Sequence, residues 1–323
     1  MLKNRYFRWS LKIISAVLSF SLIFLFIQPF FVPKYIGDST TIVSGYSYLD
    51  KNSIDVLFLG SSQMFCTVDA GMLTDKYDIS SYDFGASGQN LTMSEYYYTE
   101  ALKTQSPNLV ILEACQIFLS NDKIGDDALS WNFDPMNISI KKFTTAQQVC
   151  NNNIKAFNYS FTPLFLYHDR WNSIGDKDSG GENDIDYVID PKKYIDLSSR
   201  GFLARDHVEP QKLAFYNDDT SLKTIPQESK TAILKIAEDC KNRNIKLVLF
   251  KSPSSSWTKG DSLSVKHFAD ENSLVFIDLN EKLTEIGIDE KSDFYDGAHL
   301  NTNGAKKTTK YLAILLQSYI KNK

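Results

Sequence analysis

The chain has 323 residues, 43% hydrophobic and 13% aromatic, enough to bury one sizeable α/β core; length alone would admit two domains. A formal net charge of −4 and a pI near 5.7 leave no broad basic surface, which excludes nucleic acid as a general partner. No internal repeat with a period of roughly 20–50 residues is visible, so solenoids and propellers are excluded too.

Residues 13–32 (IISAVLSFSLIFLFIQPFFV) carry no charge and are interrupted only by Gln28 and Pro29. At about 1.5 Å per residue such a run is long enough to cross a hydrocarbon core of about 30 Å. Lys3, Arg5, Arg8 and Lys12 precede it, and no acidic residue comes before Asp38. The charge asymmetry predicts a cytoplasmic tail over 1–12, a single transmembrane anchor over 13–32 and everything beyond it outside the cell. A cleaved signal peptide is the competing reading, because the start is basic. The apolar run is long for such a peptide, however, and no small-residue cleavage site follows it.

Residues 33–53 read as a linker, with Pro33, Gly37, Ser39 and Gly45 breaking any regular period. An ectodomain over 54–323 comes next. Its short apolar runs each end in a turn: 54–59 (IDVLFL) on Gly60-Ser61-Ser62, 82–84 on Gly85-Ala86-Ser87-Gly88, and 109–112 (LVIL) at Glu113. Residues 245–250 (IKLVLF) end on Ser252-Pro253, and 274–279 (LVFIDL) make the fifth run. Helical periods fill 91–103, 229–241 and 303–320. Near-continuous apolar strands alternating with helices predict an α/β fold of three layers, a flavodoxin-like parallel sheet covered on both faces. Residues 118–225, rich in Asn, Asp, Gly and aromatics, show no clean period and are too long for a plain loop; they predict a cap or insertion beside the active face. The turns at 60–62, 85–88, 113–116 and 252–257 should share the carboxyl edge of the sheet, where open α/β sheets bind ligands.

Ser62 follows a buried strand at a turn, where helix-start amides can face a developing oxyanion. Alone it is weak, since serines after strands are common and a serine needs a base to act as nucleophile. Asp296-Gly297-Ala298-His299, just before the last helix, supplies a carboxylate that can orient an imidazole, although Asp296 could equally only shape a turn. His168, His207 and His267 form no ligand spacing, and no phosphate-binding glycine loop occurs, so neither a metal nor a nucleotide cofactor is expected. Cys66, Cys115, Cys150 and Cys240 leave a disulfide open without naming a pair.

Together "LFLGSSQ" and "DFYDGAHLNTNGAKK" resemble the SGNH (GDSL-type) hydrolases over about half the chain, 54–117 and 227–320. The resemblance implies Ser62 as nucleophile, His299 as base and Asp296 as its orienting carboxylate. "FGASGQN" resembles the second family block and implies that Gly88 offers its backbone N–H to the oxyanion. The Asn of the third block is missing after "LVILEACQIF"; Gln116 is the best local substitute and Asn90 the second choice. Gly-Ser-Ser, the Gln after the third strand and the single anchor also resemble the DltD-like branch, which works beside a membrane-bound O-acyltransferase. The resemblance and the anchor together lead us to expect a membrane-anchored extracellular O-acyltransferase acting on surface polysaccharide or teichoic acid. A carbohydrate esterase and a non-catalytic glycan-binding protein remain the alternatives. "YHDRW" and "SPSSSW" add Arg170, Trp171 and Trp257 as candidate substrate contacts, with packing of the tryptophans as the plainer account.

Overall fold

The structure is a computed structural model that describes residues 2–33, 39–172, 174, 184–217 and 219–320. The expected linker residues 34–38, including Gly37, lie outside the described residues, as do 173, 175–183 and 218 of the expected insertion.

The chain opens with α1 (Leu2–Phe31), which is long and apolar enough from Arg5 to Phe31 to span a membrane and is buried by the rest of the protein only towards its end. The linker is more ordered than its composition suggests. It forms α2 (Ser39–Tyr46), with Ile42 and Tyr46 buried. Gly45 permits contact instead of breaking the helix: a Cβ there would lie 2.6 Å from the Tyr82 hydroxyl, which donates to the Ile42 carbonyl at 2.8 Å.

All five apolar runs become strands. β1 (Val56–Gly60) is followed by α3 (Ser62–Phe65) and α4 (Ala70–Tyr77), then β2 (Ser81–Gly85), α5 (Leu91–Ala101) and β3 (Leu109–Glu113). The insertion carries α6 (Asp126–Phe133), α7 (Ile140–Cys150), α8 (Asn153–Phe161), α9 (Pro163–Leu166) and α10 (Asp184–Ile189). The chain then completes the sheet with α11 (Gln227–Asn242), β4 (Lys246–Lys251), α12 (Lys259–Glu271) and β5 (Val275–Asp278), and ends with α13 (Leu283–Ile286) and α14 (Thr302–Ile320).

The five strands are parallel in the order β2-β1-β3-β4-β5, the flavodoxin-like order. Right-handed crossovers explain where the helices lie. From β1 the chain steps one way to β2, which puts α4 on one face. It then steps the other way through β3, β4 and β5, which puts α5, α11 and α12 on the opposite face. Side chains alternate accordingly. Leu57, Leu59, Val110, Leu112 and Leu249 enter the core under α5, α11 and α12. Val56, Phe58, Leu109, Ile111, Val248 and Phe250 pack with α4 and α14 through Leu73, Leu312 and Leu316. Both faces are therefore apolar, and the strands read as continuous apolar runs.

The insertion is not a single cap. Its first half is helical and shares the main core, with Phe133, Ala146, Val149 and Ala156 packed in the cluster that contains Tyr96 and Tyr97 of α5. Its last part is a strap along the carboxyl edge. The Leu203 N–H bonds to the Phe65 carbonyl (2.8 Å), the Arg205 carbonyl accepts from Thr302 (2.7 Å), and the Glu209 N–H bonds to the Phe294 carbonyl (3.0 Å).

Candidate active site

β1 sits between β2 and β3 at the point where the order reverses, so its end opens onto the switch-point crevice. Ser61 and Ser62 stand there with different roles. Ser61 is buried and caps α3: its Oγ accepts from the Gln63 N–H at 3.4 Å. Both its N–H (2.9 Å) and its hydroxyl (3.0 Å) donate to the Glu113 carboxylate at the end of β3. Anchoring the first serine inward turns Ser62, half-buried, outward at the first position of α3.

The segment before α14 brings the other groups. Phe294 and Leu300, both fully buried, form an isolated antiparallel bridge that closes residues 294–300 into a tight loop. Within it Asp296 Oδ1 accepts from the Ala298 N–H (2.7 Å) and the His299 N–H (2.9 Å). His299 Nδ1 lies 2.9 and 3.0 Å from the two Asp296 oxygens, and Nε2 lies 2.7 Å from Ser62 Oγ. A carboxylate on Nδ1 selects the tautomer with the proton there, leaving the Nε2 lone pair to accept from the serine. Partial burial works against ionising Asp296, but the His299 hydrogen bond, the Ala298 amide, the imidazole charge and the His299 amide outweigh it and hold its pKa below the usual aspartate value. Asp293, the nearby carboxylate, is fully buried and occupied elsewhere: it accepts from the Asp289 N–H (2.7 Å) and Asn303 (2.5 Å) and pairs with Lys307 (2.6 Å). It shapes the loop and leaves His299 to Asp296.

Beneath the serines lies a buried polar group. Glu113 also accepts from the Ser252 hydroxyl (3.2 Å), and Lys251, 1% exposed, donates to Gln63 Oε1 (2.7 Å) and the Ser252 carbonyl (2.8 Å). Burial raises the Glu113 pKa against the opposing pull of Lys251, and burial lowers that of Lys251 against Cys115, Glu113, Asp278 and Asp261. At the end of a strand Glu113 reads from sequence as a buried, hydrogen-bonded structural group, and it is one, whereas its partner Lys251 carries no such signal.

The other candidate residues fare unevenly. Gly88 follows β2 at the same edge with φ +66°, a left-handed conformation that favours glycine. Gln116 lies half-buried in the turn after β3. Asn90 is occupied, since it caps α5 through the Met93 N–H (3.0 Å) and donates to Asn121 (2.7 Å). Trp257 is corrected as a substrate contact: it is 5% exposed, and its indole N–H reaches Ser262 and Asp278, each at 2.8 Å. Its neighbour Ser255 donates to the Gly297 carbonyl (2.5 Å) and thereby braces the histidine loop. Arg170 and Trp171 both contact Phe31 at the end of α1. No disulfide links Cys66, Cys115, Cys150 or Cys240.

The fold and the site together define a flavodoxin-like α/β protein with a serine, an imidazole and a carboxylate in hydrogen-bonded series at its switch point. No protein-family profile matches the chain, and no curated protein matches it. Among solved structures it is similar to a proposed acylhydrolase from Bacteroides fragilis, at 12% identity and a TM-score of 0.41, covering 88% of this chain and 99% of that one. At such values the likeness carries no argument about chemistry.

Proposed function

We propose that this chain is a membrane-anchored serine enzyme of acyl-ester chemistry that faces the outside of the cell and transfers acyl groups onto surface glycans or teichoic acid. The observation that carries the reading is the series Ser62 Oγ, His299 Nε2, His299 Nδ1, Asp296, with consecutive separations of 2.7 and 2.9 Å. The two segments that meet there, Gly60-Ser61-Ser62 and Asp296-Gly297-Ala298-His299, are also those that resemble the SGNH hydrolases; Gly-Ser-Ser, with the Gln after the third strand and the single anchor, resembles more finely the DltD-like branch.

In this reading Ser62 Oγ gives its proton to His299 Nε2 and attacks the ester carbonyl carbon. The carbonyl electron pair moves to oxygen, where the Ser62 and Gly88 amides and the Gln116 side chain serve as donors. The intermediate collapses, and His299 returns the proton to the departing alcohol. An acceptor hydroxyl then gives its proton to His299 and attacks the acyl-Ser62 ester, and His299 passes that proton to the departing Ser62 Oγ, restoring the serine. The side chains of His299 and Asp296 are 21% and 37% exposed, which suits a long acceptor laid across an open edge. The same openness admits water, so hydrolysis by a surface esterase is the competing fate of the acyl-enzyme. A membrane-bound O-acyltransferase is the partner this reading calls for as acyl donor.

Incubation with an activated phosphonate, followed by mass spectrometry, should place one adduct on Ser62. Ser62→Ala should abolish it, whereas Ser61→Ala should retain the site with reduced yield. Labelling that persists in Ser62→Ala and disappears in Ser61→Ala would move the nucleophile by one residue. No labelling of the parent would leave a non-catalytic binding protein. Acylated acceptor in place of free acid, with a glycan supplied, separates transfer from hydrolysis.

Orientation is tested independently. Protease added to intact cells should release a soluble fragment bearing the C-terminus, as the basic residues before the span require. A C-terminus protected until the membrane is breached would refute the outward placement.

A further inference from the structure

The insertion touches α1 at three levels. Lower down, the Phe165 ring of α9 lies 6.0 Å from that of Phe24. At the helix end, Trp171 stacks on Phe31 at 5.9 Å and the Arg170 guanidinium donates to the Phe31 carbonyl at 2.7 Å. Between them Gln28, buried although it interrupts the apolar run, donates to the Phe161 carbonyl at 3.1 Å. At about 1.5 Å per residue, Phe24 sits roughly 10 Å below Phe31 along the axis. Whatever packs beside Phe24 is therefore below the end of the span. Yet Phe165 is 58% exposed and Trp171 72%, and Ile189, ending the α10 helix that also packs on α1, is 72% exposed. Large apolar side chains exposed together beside a membrane-length helix have no counterpart in water.

We propose that α9 and the turn after it dip into the outer leaflet, with Phe165 among the acyl chains and Trp171 and Arg170 at the headgroup level. The inference rests on reading α1 as a membrane anchor. Side-chain chemistry matches depth: the all-carbon ring lies beside mid-helix Phe24, whereas the indole and guanidinium lie at the helix end. Arg170 also satisfies one of the carbonyls that a helix C-terminus leaves without an intrahelical partner. A depth of roughly 5–10 Å is that of helices lying in a membrane interface. The occupant of this face is lipid. Two points of attachment, the span and the wedge, hold the ectodomain in one orientation over the bilayer. A single helix would leave it to swing.

The test is photocrosslinking of the full chain in phospholipid vesicles, with benzoylphenylalanine placed singly at Phe20, Phe165 or Glu238. Phe165 is exposed, so the added benzoyl group is accommodated without disturbing the core. Lipid adducts should form at 165 with a yield within about threefold of that at 20, and about tenfold or more above that at 238, which faces water on α11. Adducts at 20 but none at 165 would overturn the wedge while leaving the anchor. Their absence at 20 would remove both. A crosslink from 165 to a protein in cells, without lipid adducts in vesicles, would also overturn it and assign the face to a membrane-protein partner.

Discussion

Ser62→Ala and His299→Ala should each lower acyl transfer or release by about 10⁵–10⁶-fold, and the double variant should be barely worse than either single one. The reason is that the two groups act as one unit. Without the imidazole, the hydroxyl 2.7 Å away keeps its proton; without the hydroxyl, the imidazole has nothing to activate. Asp296→Asn should cost about 10⁴-fold, because an amide can present its N–H to Nδ1 and favour the wrong tautomer. The assay is acyl release and transfer by each purified chain, with circular dichroism to confirm folding. Near-normal turnover in His299→Ala would remove the base and the enzymatic reading with it. An additive double variant would show that the residues do not work in series.

Glu113→Ala should destabilise the fold by about 3–5 kcal/mol, the largest stability loss expected from a single side chain at this edge. It would strip acceptors from the Ser61 amide, the Ser61 hydroxyl and the Ser252 hydroxyl, all buried, and would remove a negative charge that opposes the cost of burying Lys251. Glu113→Gln keeps the shape and one acceptor oxygen, so about 1–2 kcal/mol is expected for it. Urea unfolding of the full chain in detergent measures both. Because the Glu113 bonds set the direction of the turn, phosphonate labelling of Ser62 should slow even in the milder Glu113→Gln. A Glu113→Ala chain within about 1 kcal/mol of the parent would mean that water replaces the carboxylate and that the group is not a support.

Much of the architecture is legible in the sequence. The apolar runs at 54–59, 82–84, 109–112, 245–250 and 274–279 correspond to the five strands, because a sheet covered on both faces demands apolar side chains on both sides of each strand. The helical periods at 91–103, 229–241 and 303–320 correspond to α5, α11 and α14 within a few residues. α12 is not among those periods, although Thr258 and Asp261 form a reciprocal capping box at its start. Glycine misleads at 45, where its lack of a side chain serves a close contact between α2 and Tyr82 and does not end a helix.

By itself the sequence determined the class of fold, the apolar span and the two short segments, Ser61-Ser62 and Asp296 to His299, in which reactive residues could lie, since hydrophobic period and local turn chemistry are properties of neighbours along the chain. It also held Asp296 to His299, three residues apart in one loop. Only the tertiary structure decided that Ser62 meets an imidazole 237 positions away, that Ser61 turns inward to Glu113, and that Trp257 faces the core. It likewise decided that Arg170 and Trp171 reach the end of α1. Those outcomes depend on strand order and crossover hand, which bring the ends of β1, β3 and β4 to one edge, and no local pattern of residues encodes which distant side chain will fill a given side of that edge.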